Sequence, residues 1–146
     1  MMRKKGGIMT AKEYLMQIHR LDEDIKSNKR RIEELKYSIG SISAIDYAGD
    51  KVSGSNNPDP MASQIAQLVD LERKVNAETV DLQKAKDKII NEIRHIEDTR
   101  YVTLLTRRYV DCERWEQIAV DMNESIRHVF RIHGDALKAF KDKIAI

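Results

Sequence analysis

The chain contains few of the residues that form disulfides, tight turns and aromatic cores. Its 146 residues include one cysteine, two prolines and one tryptophan, and only 5% are aromatic. Because Cys112 is the single cysteine, an internal disulfide is excluded, and we expect a protein of the reducing cytoplasm. The shortage of proline, beside abundant charged and aliphatic residues, predicts an all-α fold whose helices are largely exposed to solvent.

The sequence also lacks the features that identify membrane proteins and enzymes. No apolar run reaches the length of a bilayer-spanning helix, so we expect no membrane partner. Glycine-rich phosphate loops, paired catalytic carboxylates and clustered metal ligands are missing, and no histidine is spaced to activate Cys112. We therefore expect no enzymatic activity, no cofactor and no metal ion.

Residues 10–98 carry two long helical stripes, which follow a tail at residues 1–9 that we expect to be disordered. Thr10 and Glu13 form a capping box at the start of the first helix. Apolar residues then recur at alternating spacings of three and four, as in a coiled coil. This stripe consists of Ala11, Tyr14, Ile18, Leu21, Ile25, Asn28, Ile32, Leu35, Ile39 and Ile42. Asn28 either sets the register of a helix pair or lies where this stripe is exposed to solvent.

A loop is predicted at residues 43–60, where glycine, serine, asparagine and both prolines cluster. A second helical stripe follows it, with Glu78 in its path. The members of this stripe are Leu68, Leu71, Val75, Leu82, Ala85, Ile89, Ile93 and Ile96. The two helices either form an antiparallel hairpin closed by the loop, or one of them pairs with another molecule. We favour the hairpin, because the loop is long enough for the chain to reverse.

Residues 99–146 are predicted to form a module of three short helices. The first covers residues 99–110, the second covers 113–122, and the third begins after a capping Ser125, so that the last two have helix-turn-helix spacing. Asn123 is expected to take the left-handed turn conformation between them. The predicted core consists of Val102, Leu105, Tyr109, Trp115, Ile118, Ala119, Met122, Val129, Ile132, Ala136, Leu137 and Phe140. The predicted outer face of the third helix consists of Arg127, His128, Arg131, Lys138 and Lys141.

Charge is distributed unevenly within this module, although the whole chain has a formal net charge of only +2. Residues 111–124 contain five acidic residues and one basic residue, whereas residues 125–143 contain five basic and two acidic residues. A basic helix following an acidic one is what a reader of the DNA major groove requires, since arginine can bond guanine and lysine can neutralise phosphates. The alternative is that the basic residues form an ordinary solvent-exposed helix face that contacts no DNA.

The segments LLTRRYVD (104–111), WEQIA (115–119) and SIRHVFRIHGDAL (125–137) resemble region four of bacterial sigma factors. In its arrangement and length, the chain resembles small phage and prophage proteins with a sigma-like helix-turn-helix more closely than it resembles sigma factors. These proteins include the ArpU/RinA-type regulators of late phage transcription. The resemblance covers about 40 of the 146 residues. Nothing in the chain resembles the core-polymerase-binding or DNA-melting regions of sigma factors, so we do not expect a self-sufficient sigma factor.

The resemblance implies residue roles in binding double-stranded DNA. The base-reading positions fall on Ser125, Arg127, His128 and Arg131, and the contacts to the DNA backbone fall on Arg107, Arg108, Arg114 and Lys138. These roles predict a sequence-specific DNA-binding domain at residues 99–146.

Together these features predict a transcription regulator encoded by a phage or prophage and located in the cytoplasm of a bacterial host cell. The hairpin would mediate a homodimer or higher homo-oligomer, or contact RNA polymerase. Two alternatives stay open: a DNA-packaging protein like a small terminase subunit, and a helical scaffold whose helix-turn-helix binds no DNA.

Overall fold

The structure is a computed structural model that describes residues 3–4, 7–48 and 59–144, and it confirms the all-α class. Its helices are α1 (Ala11–Leu15), α2 (Gln17–Ala48), α3 (Pro60–Arg94), α4 (Thr99–Leu105), α5 (Trp115–Asp121) and α6 (Ile126–Ile144). A π-helical turn, Thr106–Val110, joins α4 to the segment before α5. In the N-terminal tail, two short strands, β1 (Arg3–Lys4) and β2 (Gly7–Ile8), pair antiparallel, while residues 1–2 and 5–6 lie outside the described residues.

The first long helical stripe begins at the predicted capping box. The Thr10 hydroxyl accepts a hydrogen bond from the Glu13 amide at 3.1 Å, and the Glu13 carboxylate accepts one from the Thr10 amide at 3.0 Å. A turn at Met16 separates α1 from α2. Helix α2 then continues to Ala48, beyond the loop start predicted at residue 43, because the first helix-breaking residue of that region, Gly49, comes only afterwards. Residues 49–58 of the predicted loop lie outside the described residues.

The chain divides into two compact units: a terminal unit of residues 1–22 and 82–146, and a central unit of residues 23–81. The helix-turn-helix module predicted at 99–146 therefore belongs to a larger unit, which also contains α1, the start of α2 and the end of α3.

The central unit is an antiparallel pair of helical segments. Ile25, Ile32 and Leu35 of α2 and Val75 of α3 are buried, as the stripes predict. The two polar interruptions of the stripes meet each other: the Asn28 side-chain amide donates to both carboxylate oxygens of Glu78, at 2.9 and 3.2 Å. This pairing favours the register-setting interpretation of Asn28, since a shift of either helix would separate the two groups.

The terminal unit is built around residues from distant parts of the chain. The rings of Tyr14 in α1 and Phe140 in α6 stack with centroids 5.9 Å apart. The Tyr14 hydroxyl donates to the Glu92 carboxylate of α3 at 2.7 Å. Burial, and secondarily this hydrogen bond to Glu92, raise the pKa of Tyr14 above its ordinary value. The fully enclosed core residues of this unit are Leu15, Ile18, Ile93, Leu104, Leu105, Ile118, Val129, Ala136 and Phe140.

The π-helical turn changes which residues face the core. Leu105 and Tyr109 are buried as predicted, but Leu104 and Val110 are buried too, and Val102 is only half-buried. A π turn accommodates one extra residue, so it shifts the inward face relative to the regular spacing of an α-helix. The prediction of Val102 as a core residue is wrong, because the buried face of α4 is centred on Leu104 and Leu105, before the π turn begins.

Candidate nucleic-acid interface

Helix α5 lies between two residues in the left-handed backbone conformation. Both Cys112, before the helix, and Asn123, after it, have φ of 55°. The Asn123 conformation is the predicted one, and the Glu124 amide closes the turn by donating to the Ala119 carbonyl at 2.9 Å. This turn lets the chain leave α5 and start α6 within a few residues, as a helix-turn-helix requires.

Ser125 caps α6 as predicted. Its hydroxyl accepts a hydrogen bond from the His128 amide at 3.1 Å, and the helix begins at Ile126. The cap satisfies one of the amides that the first turn of a helix leaves without a backbone partner. It thereby fixes the end of α6 that carries the predicted base-reading residues.

The inward faces of α5 and α6 follow the predicted pattern with small differences. Ile118 and Ala119 of α5 are buried, as are four residues of α6: Val129, Ile132, Ala136 and Phe140. Trp115, Met122 and Leu137 were predicted in the core and are half-buried instead, because they lie at the edges of the packed faces. The amphipathic character of α6 is thus confirmed.

Trp115 is the centre of a cluster that joins the two helices. Its ring meets Phe130 and His133 of α6 edge-on, with centroid distances of 5.2 and 4.6 Å. The Arg108 guanidinium lies over the Trp115 ring, 4.6 Å from its centroid. It also donates a hydrogen bond to the Glu113 carbonyl at 2.9 Å. Arg108 is therefore engaged in holding α5, through a cation–π contact and a hydrogen bond.

His133 is held within the same cluster. Its Nε2 lies 2.7 Å from the Tyr109 hydroxyl, in hydrogen-bond contact. Burial, with smaller effects from Lys12 and Arg108, lowers the pKa of His133 to about 4, and burial raises the pKa of Tyr109 to about 12. Both groups are consequently neutral at pH 7, and the imidazole adds no positive charge to α6.

Arg107 is also directed into the module. Its Nη1 donates to Asp121, the last residue of α5, at 2.8 Å and lies 3.3 Å from the nearer oxygen of Glu113, which precedes the helix. It partly neutralises the acidic segment that the sequence revealed. Arg107 and Arg108, predicted to contact the DNA backbone, are thus both occupied by contacts within the terminal unit.

Four of the remaining predicted site residues come together at the start of α6. Ser125, Arg127, His128 and Arg131 line one shallow surface groove of about 440 Å³. Arg127 and Arg131 are exposed, as is Lys138 two turns further along, whereas the His128 ring is half-buried, with Nε2 3.8 Å from Glu124. Arg114 is exposed at the start of α5, where its side chain makes no capping hydrogen bond.

Three exposed apolar residues of α5 and α6 were not predicted as part of the site. Val120 on α5 is 74% exposed, and Ile126 and Phe130 on α6 are 40% and 49% exposed. A signal for two of them was present in the sequence, because Ile126 and Phe130 each precede one of the two arginines and lie outside the predicted core of α6.

No family model matches this chain, and no curated protein or solved structure is similar to it at a significant level. Across the described residues, no helix is both long and apolar enough to cross a membrane. In the same part of the chain, no group of three or more histidine, cysteine, aspartate or glutamate side chains is arranged to hold a metal ion.

Proposed function

We propose that this protein binds double-stranded DNA and that α6 enters the major groove. The observation that carries the proposal is the division of labour among its cationic residues. Arg107 and Arg108 hold α5 in place. In contrast, Arg127, Arg131 and Lys138 project into solvent from the side of α6 that is opposite its buried face. An amphipathic helix with a buried apolar face and an exposed cationic face, braced by a short preceding helix, has the form of a recognition helix.

The electrostatics of the terminal unit support this orientation. Acidic residues of the α5 region that would repel phosphate are partly compensated, since Glu113 and Asp121 pair with Arg107. Residues 125–143 retain five basic against two acidic residues. A phosphate backbone would therefore meet its most favourable surface along α6.

The spacing of the two arginines suggests how bases are read. Arg127 and Arg131 lie one turn apart, about 6 Å along the helix axis. Base pairs are stacked about 3.4 Å apart, so the two guanidinium groups can reach neighbouring or nearly neighbouring guanines. We assign Ser125 and His128 to polar contacts beside them, and Ile126 and Phe130 to apolar contacts with thymine methyl groups. Lys138 and Arg114 would contact phosphates.

The sigma-like sequence motifs support transcription regulation in a phage or prophage as the setting of this activity, with RNA polymerase as a protein partner. We further propose that the central unit associates with a second copy of the chain, which would present two α6 helices to one DNA site. The transcriptional role and the self-association both depend on DNA binding by α6.

The direct test is selection of bound duplexes from a random-sequence DNA library with the full chain, followed by affinity measurement on an enriched duplex. We expect Arg127→Ala and Arg131→Ala each to weaken binding by a factor of about 5–150, corresponding to about 1–3 kcal/mol. Arg30→Ala, which removes an exposed arginine of the central unit, is the matched control and should bind like the wild type. Failure to enrich any duplex, or wild-type affinity in both α6 variants, would contradict the proposal.

A further inference from the structure

Gly134 occupies a helical position where the fold does not require a glycine. It lies inside α6, and a Cβ atom built at this position meets no atom within 4 Å. Glycine weakens a helix interior relative to alanine, because it loses more conformational freedom on folding. Neither close packing nor an unusual backbone angle within the chain therefore accounts for the missing side chain.

The position of Gly134 on α6 relates it to the proposed DNA-binding face. Arg127, Arg131, Gly134, Lys138 and Lys141 follow one another at separations of four, three, four and three residues, and all five are exposed. At 100° per residue they fall within about 80° of the helix circumference, along a line about 21 Å long. Gly134 is thus the one uncharged member of a cationic line, midway between its two arginines and its two lysines.

The charges beside this line restrict how a polyanion approaches it. Asp135 and Asp142 are exposed on one flank of α6 and would repel phosphate there. A polyanion is therefore attracted most strongly when it lies along the cationic line. A DNA strand that leaves the base-reading arginines and reaches the lysines must pass over Gly134.

We infer that Gly134 is the point at which the sugar–phosphate backbone of one DNA strand lies against the main chain of α6. The inference rests on the proposed function and adds a specific contact to it. A side chain at this position would hold the strand away from the helix, which would lengthen the contacts made by Arg131 and Lys138 on either side. Glycine at this position permits the closer approach, which strengthens binding.

The test substitutes Gly134→Ala and Gly134→Leu in the full chain and measures thermal stability and affinity for the selected duplex. Gly40→Ala is the matched control, because Gly40 is also helical and exposed, with no atom within 4 Å of a built Cβ. We expect both alanine variants to raise Tm by about 2–4 °C. Only the Gly134 variants should lose affinity, about fivefold for alanine and more than tenfold for leucine.

Two results would overturn the inference while leaving the proposed function intact. One is duplex affinity at or above the wild-type value in both Gly134 variants. The other is a lowered Tm for Gly134→Ala beside a raised Tm for Gly40→Ala, which would show that the fold itself needs the glycine. A wild-type chain that binds no duplex would instead contradict the proposed function, and this inference with it.

Discussion

The two compact units bury apolar residues to different depths, although both are helical and both use isoleucine and leucine as their main core residues. In the terminal unit, Phe140, Ile118 and Val129 are 0% exposed. Among the described residues of the central unit, the most buried are Ile25 and Leu35, which remain 5% exposed. Two helices cannot enclose a side chain on all sides, whereas the terminal unit surrounds its core with segments from both ends of the chain.

The difference shows that the surroundings of an apolar residue, more than its type, set how completely it is buried. It also separates two uses of polar groups. The terminal unit places its charged side chains around the core, where Arg107 and Arg108 hold α5, whereas the central unit places the Asn28–Glu78 pair within the seam itself. A terminal unit with an enclosed core is suited to hold α6 in one orientation, and a polar seam is suited to fix one helix register.

The largest expected effect concerns the enclosed core of the terminal unit. Phe140→Ala removes a ring that is fully buried and stacked on Tyr14, so we expect a loss of about 3–5 kcal/mol of unfolding free energy. Ile32→Ala in the central unit should cost only about 1–2 kcal/mol, because its side chain borders an open groove. Denaturant titrations of both variants measure the contrast, and a loss for Ile32→Ala as large as that for Phe140→Ala would contradict it.

The next effect concerns the link between α1 and α3. Tyr14→Phe removes the hydroxyl that donates to Glu92, and we expect a loss of about 1–3 kcal/mol. Because the two groups are partners, the loss should be much smaller when Glu92 is already replaced by alanine, which leaves the hydroxyl no acceptor. A double-mutant cycle measures this coupling, and additive losses would mean that the hydrogen bond contributes nothing.

The third effect is a dependence of stability on pH that originates in the terminal unit. The pKa of His133 is lowered to about 4 in the folded protein, against about 6.5 for an unfolded chain. The unfolded state therefore binds more protons between these values, so stability is complete above about pH 6.5 and falls as the pH drops towards 4. Since the ring is only partly shielded from solvent, we expect a loss of about 1–2 kcal/mol.

The control for this effect is His133→Gln, which removes the titrating group. Denaturant titrations between pH 7.5 and 4.5 should show a shallower loss of stability in the variant than in the wild type. Parallel curves for the two proteins would refute the role of His133.

The smallest effect concerns the polar seam of the central unit. Asn28→Ala leaves the Glu78 carboxylate without its amide donors, and we expect a loss of about 0.5–1.5 kcal/mol. Replacing both residues with leucine should restore stability or raise it, since an apolar pair suits the seam better than a lone charge. Sedimentation of the double variant should then show mixed association states if the polar pair sets the register. A single, unchanged state would argue that it does not.

Much of this fold was predictable because its signals are local. The capping box of Thr10, the left-handed Asn123, the Ser125 cap and the two faces of α6 each depend on residues within a few positions of one another. The seams of the central unit were predictable for the same reason, since helical periodicity reports which face is buried.

The unpredicted features depend on contacts between distant segments. Nothing near Tyr14 in the sequence indicates that its ring stacks on Phe140 or that its hydroxyl meets Glu92. The π-helical turn likewise has no clear local signal, yet it decides which residues of that helix face inward. The arginines before α5 could be recognised as cationic, but their engagement with Glu113, Asp121 and Trp115 depends on tertiary packing. The sequence gives the charge of a residue, but it does not show whether that residue is available to a partner.

The central claim is that the exposed cations of α6 neutralise DNA phosphates, and the slope of log affinity against log salt concentration tests it most directly. With Lys138, Lys141 and Arg114 on phosphates, the slope for one copy of the chain should be about −2 to −3, and Lys138→Ala with Lys141→Ala should reduce its magnitude by about 2. A slope near zero in the wild type, or one that the double variant leaves unchanged, would contradict the account.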